Sequence, residues 1–187
     1  MGSLAVTHLE NIWQEEGINS RDVLGQEVVT QRTWNRSTGR YNTRRRTVPI
    51  ASVHEHATLA TESFHGGRNE AFVCGFSSMD IWYDFDLSGA YSTAMAGIQM
   101  PNWRRLKPNL DVKSYTADVL GLARITFKFP DDTRFPCLPV RSDNGLIFPL
   151  SGESYAGSPE IQLAVEMGAD VEIQHGLIVP WLSDIRP

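Results

Sequence analysis

The sequence predicts an α+β protein: a mostly antiparallel sheet with helices packed on one face and an arginine-rich hairpin projecting from it. Three observations predict this. Leu120 to Phe129 alternates strictly, with Leu122, Arg124, Thr126 and Lys128 opposite Ala123, Ile125, Phe127 and Phe129, as a half-buried strand does. Strand-like runs are joined by short polar turns, which favours antiparallel pairing. Helix signals stand between them, notably Ser158 as cap with Pro159 at the first helical position.

From the N-terminus, Ser3 to Glu16 fits an amphipathic helix: Leu4, Val6, Leu9, Ile12 and Trp13 recur at helical spacing, and Gly17 supplies a stop. Leu24 to Arg36 reads as a strand, residues 35–39 as a loop, and Arg40 to Ile50 as a second strand closing a hairpin. Arg32, Arg36, Arg40, Arg44, Arg45 and Arg46 lie on it, with Trp34 and Tyr41 among them and no acid from 32 to 46. Guanidinium groups meet phosphates and rings stack on bases, so the pattern suits single-stranded nucleic acid. It also suits a solvated ribbon whose aromatics cover the core.

In His54-Glu55-His56 the two histidines would share a face on a strand, but no third ligand at sensible spacing accompanies them except His65. A structural role is favoured. Residues 1–62 are thus read as a helix plus a basic hairpin region and 63–187 as the remainder of one compact unit.

Residues 80–91 organise the second region. Asp80 to Leu87 alternates as a strand, with Tyr83, Phe85 and Leu87 on one side and Trp82, Asp84 and Asp86 on the other. Ser88-Gly89 then breaks it, and Tyr91 to Ala96 is compatible with a helix. Further on come a loop at Met100-Pro101-Asn102-Trp103 and a hairpin of residues 135–141 and 146–149 around Asn144-Gly145, a preferred pair for a type I′ turn. The helix after Pro159 runs to Gly168, and Asp170 to His175 is a final strand.

The net charge of −5 excludes a uniformly basic nucleic-acid coat, but the charge is polarised. From Ser151 onward Glu153, Glu160, Glu166, Asp170, Glu172 and Asp184 face Arg186 alone. Cys74 and Cys137 match no metal or redox spacing and read as buried free thiols. No apolar run approaches membrane-spanning length, and the N-terminus has no basic region followed by an apolar one. An intracellular location is expected, without membrane association.

Asp86-Leu87-Ser88-Gly89-Ala90-Tyr91 resembles motif A of family B DNA polymerases, where Asp, two variable positions, Ser, Leu, Tyr, Pro and Ser stand in that order. Phe64-His65-Gly66-Gly67-Arg68 resembles the aromatic-x-Gly-Gly element that precedes motif A in the protein-primed branch of phages and linear plasmids. The section from Leu138-Pro139-Val140-Arg141 onward resembles the region after motif A in plasmid-type enzymes. Gly89, Ala90 and Ser92 depart from the usual Ser, Leu and Pro, and Phe64 from the usual Tyr.

The resemblance implies a partial palm over residues 63–187 and template-directed deoxynucleotidyl transfer assisted by two magnesium ions, ~3.5–4 Å apart. Asp86 would be the catalytic metal ligand, with the Leu87 carbonyl as a further oxygen ligand. The backbone of Ser88, Gly89, Ala90 and Tyr91 would receive the triphosphate, and Tyr91 would exclude a 2′-hydroxyl. Phe64, Gly66, Gly67 and Arg68 would grip DNA, as would Arg44, Arg45 and Arg46. Implied partners are a DNA template-primer, deoxynucleoside triphosphates, a terminal protein and the remainder of a polymerase chain. A plasmid-borne enzyme of this kind would be mitochondrial, otherwise cytoplasmic.

The chain has no Lys-x-x-x-Asn-x-x-Tyr-Gly element and no Asp-Thr-Asp hairpin, so the second catalytic carboxylate is absent and it should not polymerise alone. The alternatives are a non-enzymatic nucleic-acid-binding module derived from such a polymerase and a plain α+β structural domain whose resemblance is fortuitous.

Overall fold

The structure, a computed structural model, describes residues 2–71, 74–76, 79, 81–143 and 145–182. It is α+β, and all strand pairs described are antiparallel. The central sheet has the order β3 (Lys107–Pro108), β8 (Asp170–Val179), β4 (Leu120–Lys128), β7 (Ser151–Gly157).

Alternation along β4 decides the core. Ala123, Ile125 and Phe127 are buried with Ala156 of β7 and Ile173 of β8, beneath Ile161 and Ala164 of α6 (Ser158–Glu166). Phe129 and Leu138 close the end of this cluster. The other face carries Leu120 and Leu122 beside Leu177 and Val179, covered by Leu59 of α4 (Ala57–Glu62) and by Trp103. The main helix therefore covers one face, while a shorter one seals the root of the other.

Two glycines make room for Tyr115 against this sheet. A Cβ at Gly121 of β4 would stand 2.8 Å from the ring's Cδ1, and one at Gly176 of β8 would fall inside the hydroxyl. The hydroxyl donates to the Asn109 carbonyl at 2.7 Å. Burial pushes this phenol from its ordinary 10.0 up to about 12. The neutral form belongs to the fold, so its contribution is fully present below pH 10.0 and is lost as pH rises through the folded value. Unfolding free energy should fall by roughly 1.4 kcal/mol per pH unit across that window. Urea unfolding at successive pH values checks this: Tyr115→Phe should flatten the dependence, and parallel curves for the two proteins would refute it.

α1 (Gly2–Glu15) forms where expected and ends before Gly17, whose φ is +70°. Its Val6, Leu9 and Ile12 remain exposed, so helical periodicity here marks a face that nothing described covers. The basic hairpin, β1 (Gln26–Asn35) and β2 (Arg40–Pro49), is a separate two-stranded ribbon. It is rooted at Gly25, where a Cβ would meet Val53 at 3.0 Å and Trp103 at 3.2 Å. The Ile50 N–H donates to the Gly25 carbonyl at 2.9 Å, and the Trp103 indole to the Val23 carbonyl at 2.9 Å.

Several expectations are corrected. Residues 81–87 form no strand, and Asp80 lies outside the described residues. Alternation supplies two faces, but an extended segment needs a neighbour for its N–H and C=O groups. β7 is a strand without a sequence signal: Ser-Gly-Glu-Ser-Tyr-Ala-Gly lacks the run of branched and aromatic residues that marks strands.

Gly157, not Ser158, caps α6: its N–H donates to the Glu160 carboxylate at 2.9 Å, and Ser158 is the first helical residue. Cys74 is an exposed thiol rather than a buried one. Cys137 is half-buried, and burial raises its pKa to about 11. Asn144, of the expected tight turn, lies outside the described residues; Gly145, at φ +113°, opens β6 (Gly145–Ile147) against β5 (Val140–Ser142).

Candidate functional site

The Asp86 segment is built by its turn. Ser88 and Gly89 form a turn that feeds α5 (Ala90–Ala96), and Gly89 takes a φ of +70°, a conformation glycine adopts without a Cβ penalty. The Ala90 N–H donates to the Leu87 carbonyl at 3.3 Å, leaving that oxygen a second lone pair for another ligand. The Asp86 carboxylate is exposed. Tyr83 and Phe85 have ring centroids 6.3 Å apart, so the two residues placed on one side of the expected strand do lie together. Phe85, Leu87 and Tyr91 are each more than three-quarters exposed, making this segment an apolar surface beside a carboxylate.

The structure brings the two family-like elements together. A Cβ placed on Gly67 would lie 3.5 Å from the Tyr91 hydroxyl, an ordinary van der Waals separation, so the tyrosine's tip lies beside the Gly-Gly element. The Gly-Gly element is held from the other side by the sheet. His65 Nε2 stands 2.6 Å from the Tyr155 carbonyl of β7. Arg141 of β5 donates from Nη2 to the Phe64 carbonyl at 3.0 Å, and its Nε lies 3.7 Å from the Glu62 carboxylate.

Arg68 is committed within the protein. Its Nε donates to Glu70 at 2.7 Å, its Nη1 to the Pro136 carbonyl at 2.8 Å, and its guanidinium lies 4.0 Å from the Phe148 ring centroid. A phosphate reaching Arg68 would compete with Glu70. The bond to Pro136 was invisible in the sequence, as was the part played by Arg141, because each joins residues about seventy positions apart. The only signal available was Arg141 itself, in the Leu-Pro-x-Arg run.

The ribbon divides its arginines. Pairing of Trp34 with Tyr41, Arg32 with Thr43 and Thr30 with Arg45 puts these six on one face. Arg40, Arg44 and Arg46 take the other. Arg45 lines an open recess of about 530 Å³ with Arg21, Val28, Thr30 and Thr47, which includes no residue of the Asp86 turn. Arg44, Arg45 and Arg46, neighbours in sequence, therefore do not form one patch.

The histidines behave structurally. His54 and His56 fall at the end of α3 (Ala51–Glu55), not on a strand. His56 Nδ1 lies 2.8 Å from the Ser52 carbonyl, and its ring stacks on His175 with centroids 5.8 Å apart. Among the described residues no three His, Cys, Asp or Glu side chains converge as a metal-holding group. A carboxylate and an adjacent carbonyl oxygen suit a hard cation such as magnesium, but supply only part of its shell. No helix among the described residues is long and apolar enough to cross a membrane.

Comparison with curated proteins finds the primer-independent DNA polymerase PolB of Escherichia coli, 37% identical over 188 residues. The match takes in 100% of this chain and 22% of that protein, so the chain spans about a fifth of the polymerase it resembles. No family model matches, and no solved structure matches. The chain is similar to one part of a DNA polymerase.

Proposed function

We propose that this chain is the part of a template-directed DNA polymerase palm that carries the first catalytic carboxylate. The observation that carries the reading is the approach of Tyr91 to Gly67, which sets a nucleotide-side residue against a DNA-side element. The identity across the whole chain to a DNA polymerase supports it.

In this reading Asp86 and the Leu87 carbonyl hold one side of a two-magnesium site. Such ions, when bound there, would supply charge neutralisation at the triphosphate and activation of the attacking hydroxyl. The turn from Ser88 to Tyr91 seats the incoming nucleotide, with Tyr91 beneath the sugar. Phe64, Gly66 and Gly67 border the primer-template, with Arg68 positioned by Glu70 rather than aimed freely at phosphate. Arg44, Arg45 and Arg46 add contacts to DNA further out. The second carboxylate and the fingers contribution come from outside these residues, so the chain alone is inactive.

Tyr91→Val tests the assignment in a polypeptide that carries this chain with the remaining polymerase elements. Discrimination against ribonucleotides should fall about 10²-fold, with deoxynucleotide incorporation kept within about tenfold. An unchanged ratio removes Tyr91 from the sugar. Initiation is settled in the same assay: the resemblance is to protein-primed enzymes, while the Escherichia coli protein is named primer-independent. Product from template and deoxynucleotides alone supports the latter, and dependence on an added terminal protein supports the former.

The second reading, a nucleic-acid-binding module without catalysis, is favoured by the exposed ribbon and by the single carboxylate of the Asp86 turn. It predicts oligonucleotide binding by a chain that supports no incorporation in any polypeptide.

A further inference from the structure

The ribbon's two faces differ in chemistry, and only one is equipped for bases. We infer that the face carrying Arg32, Trp34, Tyr41 and Arg45 is a stacking surface for single-stranded nucleic acid, while the Arg40–Arg44–Arg46 face is not. This deepens the reading of the ribbon as a DNA contact and is independent of the chemistry at Asp86.

Trp34 and Tyr41 face one another across the strands with centroids 4.8 Å apart and planes inclined at 64°. They are 50% and 59% exposed, so neither ring belongs to the core and both are accessible to solvent. Arg32 lies over the Tyr41 ring at 5.3 Å from its centroid, which keeps a cation beside the rings. About 13 Å further along the strands, at 3.3 Å per residue, Arg45 and Arg21 flank the recess floored by Val28, Thr30 and Thr47.

Every residue of this face from Gln26–Pro49 to Trp34–Tyr41 is neutral or basic, whereas the opposite face includes Glu27. The ion pairs found among the described residues join Arg68 to Glu70, Arg124 to Glu153 and Arg141 to Glu62, and take up no ribbon arginine. Aromatic planes interleaved with uncompensated guanidinium groups match an unpaired strand, whose bases are open to stacking and whose phosphates carry the opposite charge. A duplex hides its base faces and can use the charges only.

The test is fluorescence anisotropy of an oligothymidylate of about 20 nucleotides, and of a duplex of the same length, at several salt concentrations. Trp34→Val with Tyr41→Thr removes both rings while keeping strand-favouring side chains. It should weaken single-strand binding at least about tenfold and leave the salt slope unchanged. Trp34→Phe with Tyr41→Phe, which keeps rings, should bind as the unaltered chain does.

Arg32→Ala with Arg45→Ala should lower the slope of log affinity against log salt by about 1.4. Arg40→Ala with Arg44→Ala and Arg46→Ala should preserve the preference for single strand over duplex. The inference is overturned if the ring-free variant binds as tightly as the unaltered chain, if duplex and single strand bind equally, or if neither binds. Each of these outcomes is read from binding alone, so it is distinguishable from a failure of incorporation at the Asp86 site.

Discussion

Asp86→Asn should abolish nucleotide incorporation, by about 10³-fold or more, in a polypeptide that carries this chain together with the remaining polymerase elements. The substitution keeps the shape of the side chain and removes one negative oxygen. A hard divalent cation held there, as proposed, would lose a charged ligand that the neighbouring Leu87 carbonyl could not replace. Because Asp86 is exposed, the folded state has no buried partner to lose, and thermal unfolding should be unchanged.

Asp84 is the matched control. It is also exposed and stands two residues away, with the same charge. Asp84→Asn should reduce incorporation only a few-fold, as expected of a charge that shapes the local potential without binding the ion. Single-turnover incorporation with both variants separates the cases. Equal losses would show that negative potential matters and ligation does not; full activity of Asp86→Asn would end the catalytic reading.

The second large effect lies in the fold. Gly121→Ala should destabilise the protein by about 3 kcal/mol, toward the upper end of what overpacking costs. The new methyl would fall inside the Ser158 hydroxyl and 2.8 Å from the Tyr115 ring. Both neighbours are fully buried, and Ser158 lies in the first turn of α6, so neither has free space to move into. Gly176→Ala meets the same ring at its hydroxyl, with the Asn109 carbonyl at 3.0 Å behind.

Gly39, at the ribbon's tip, provides a contrast. It has nothing within 4 Å, but its φ of +60° gives alanine a local backbone cost only. Denaturant midpoints with a constant m-value report all three. A Gly121→Ala loss below about 0.5 kcal/mol would mean the ring does not press on the sheet.

How far the sequence alone reveals this molecule depends on the range of the forces involved. β4 was legible to within a residue because its alternation is local and its inward residues are all apolar. The ribbon was legible for another reason: it has no buried face, but its turn residues at 35–39 separate two strand-forming runs. β7 was not, since its inward Ser154 and Ala156 are small residues chosen by what lies above them; the Ser154 hydroxyl donates to the Pro139 carbonyl at 2.5 Å.

The segment 81–87 failed in the opposite direction, showing strand-like alternation without a neighbouring strand among the described residues. At the candidate site, Asp86 and Tyr91 are marked by resemblance alone, and the chemistry proposed for them rests on their identities. The meeting of Tyr91 with Gly67, the hold of Arg141 on Phe64 and the commitment of Arg68 to Glu70 and Pro136 depend on tertiary placement. The separation of Arg45 from Arg44 and Arg46 is different, because there the strand period was enough to foretell it.

The way the ribbon is seated at Gly25 has a mechanical side. Ten residues per arm make a lever about 33 Å long, clamped at one end between Val53 and Trp103. A tilt of about 10° at that clamp would carry the tip through about 6 Å, somewhat more than the spacing of two neighbouring strands. In a ribbon that stays straight, a small repacking of the Trp103 indole would be amplified at Trp34 and Tyr41, and a load at the tip would be felt at Gly25, beside Val53 and Trp103.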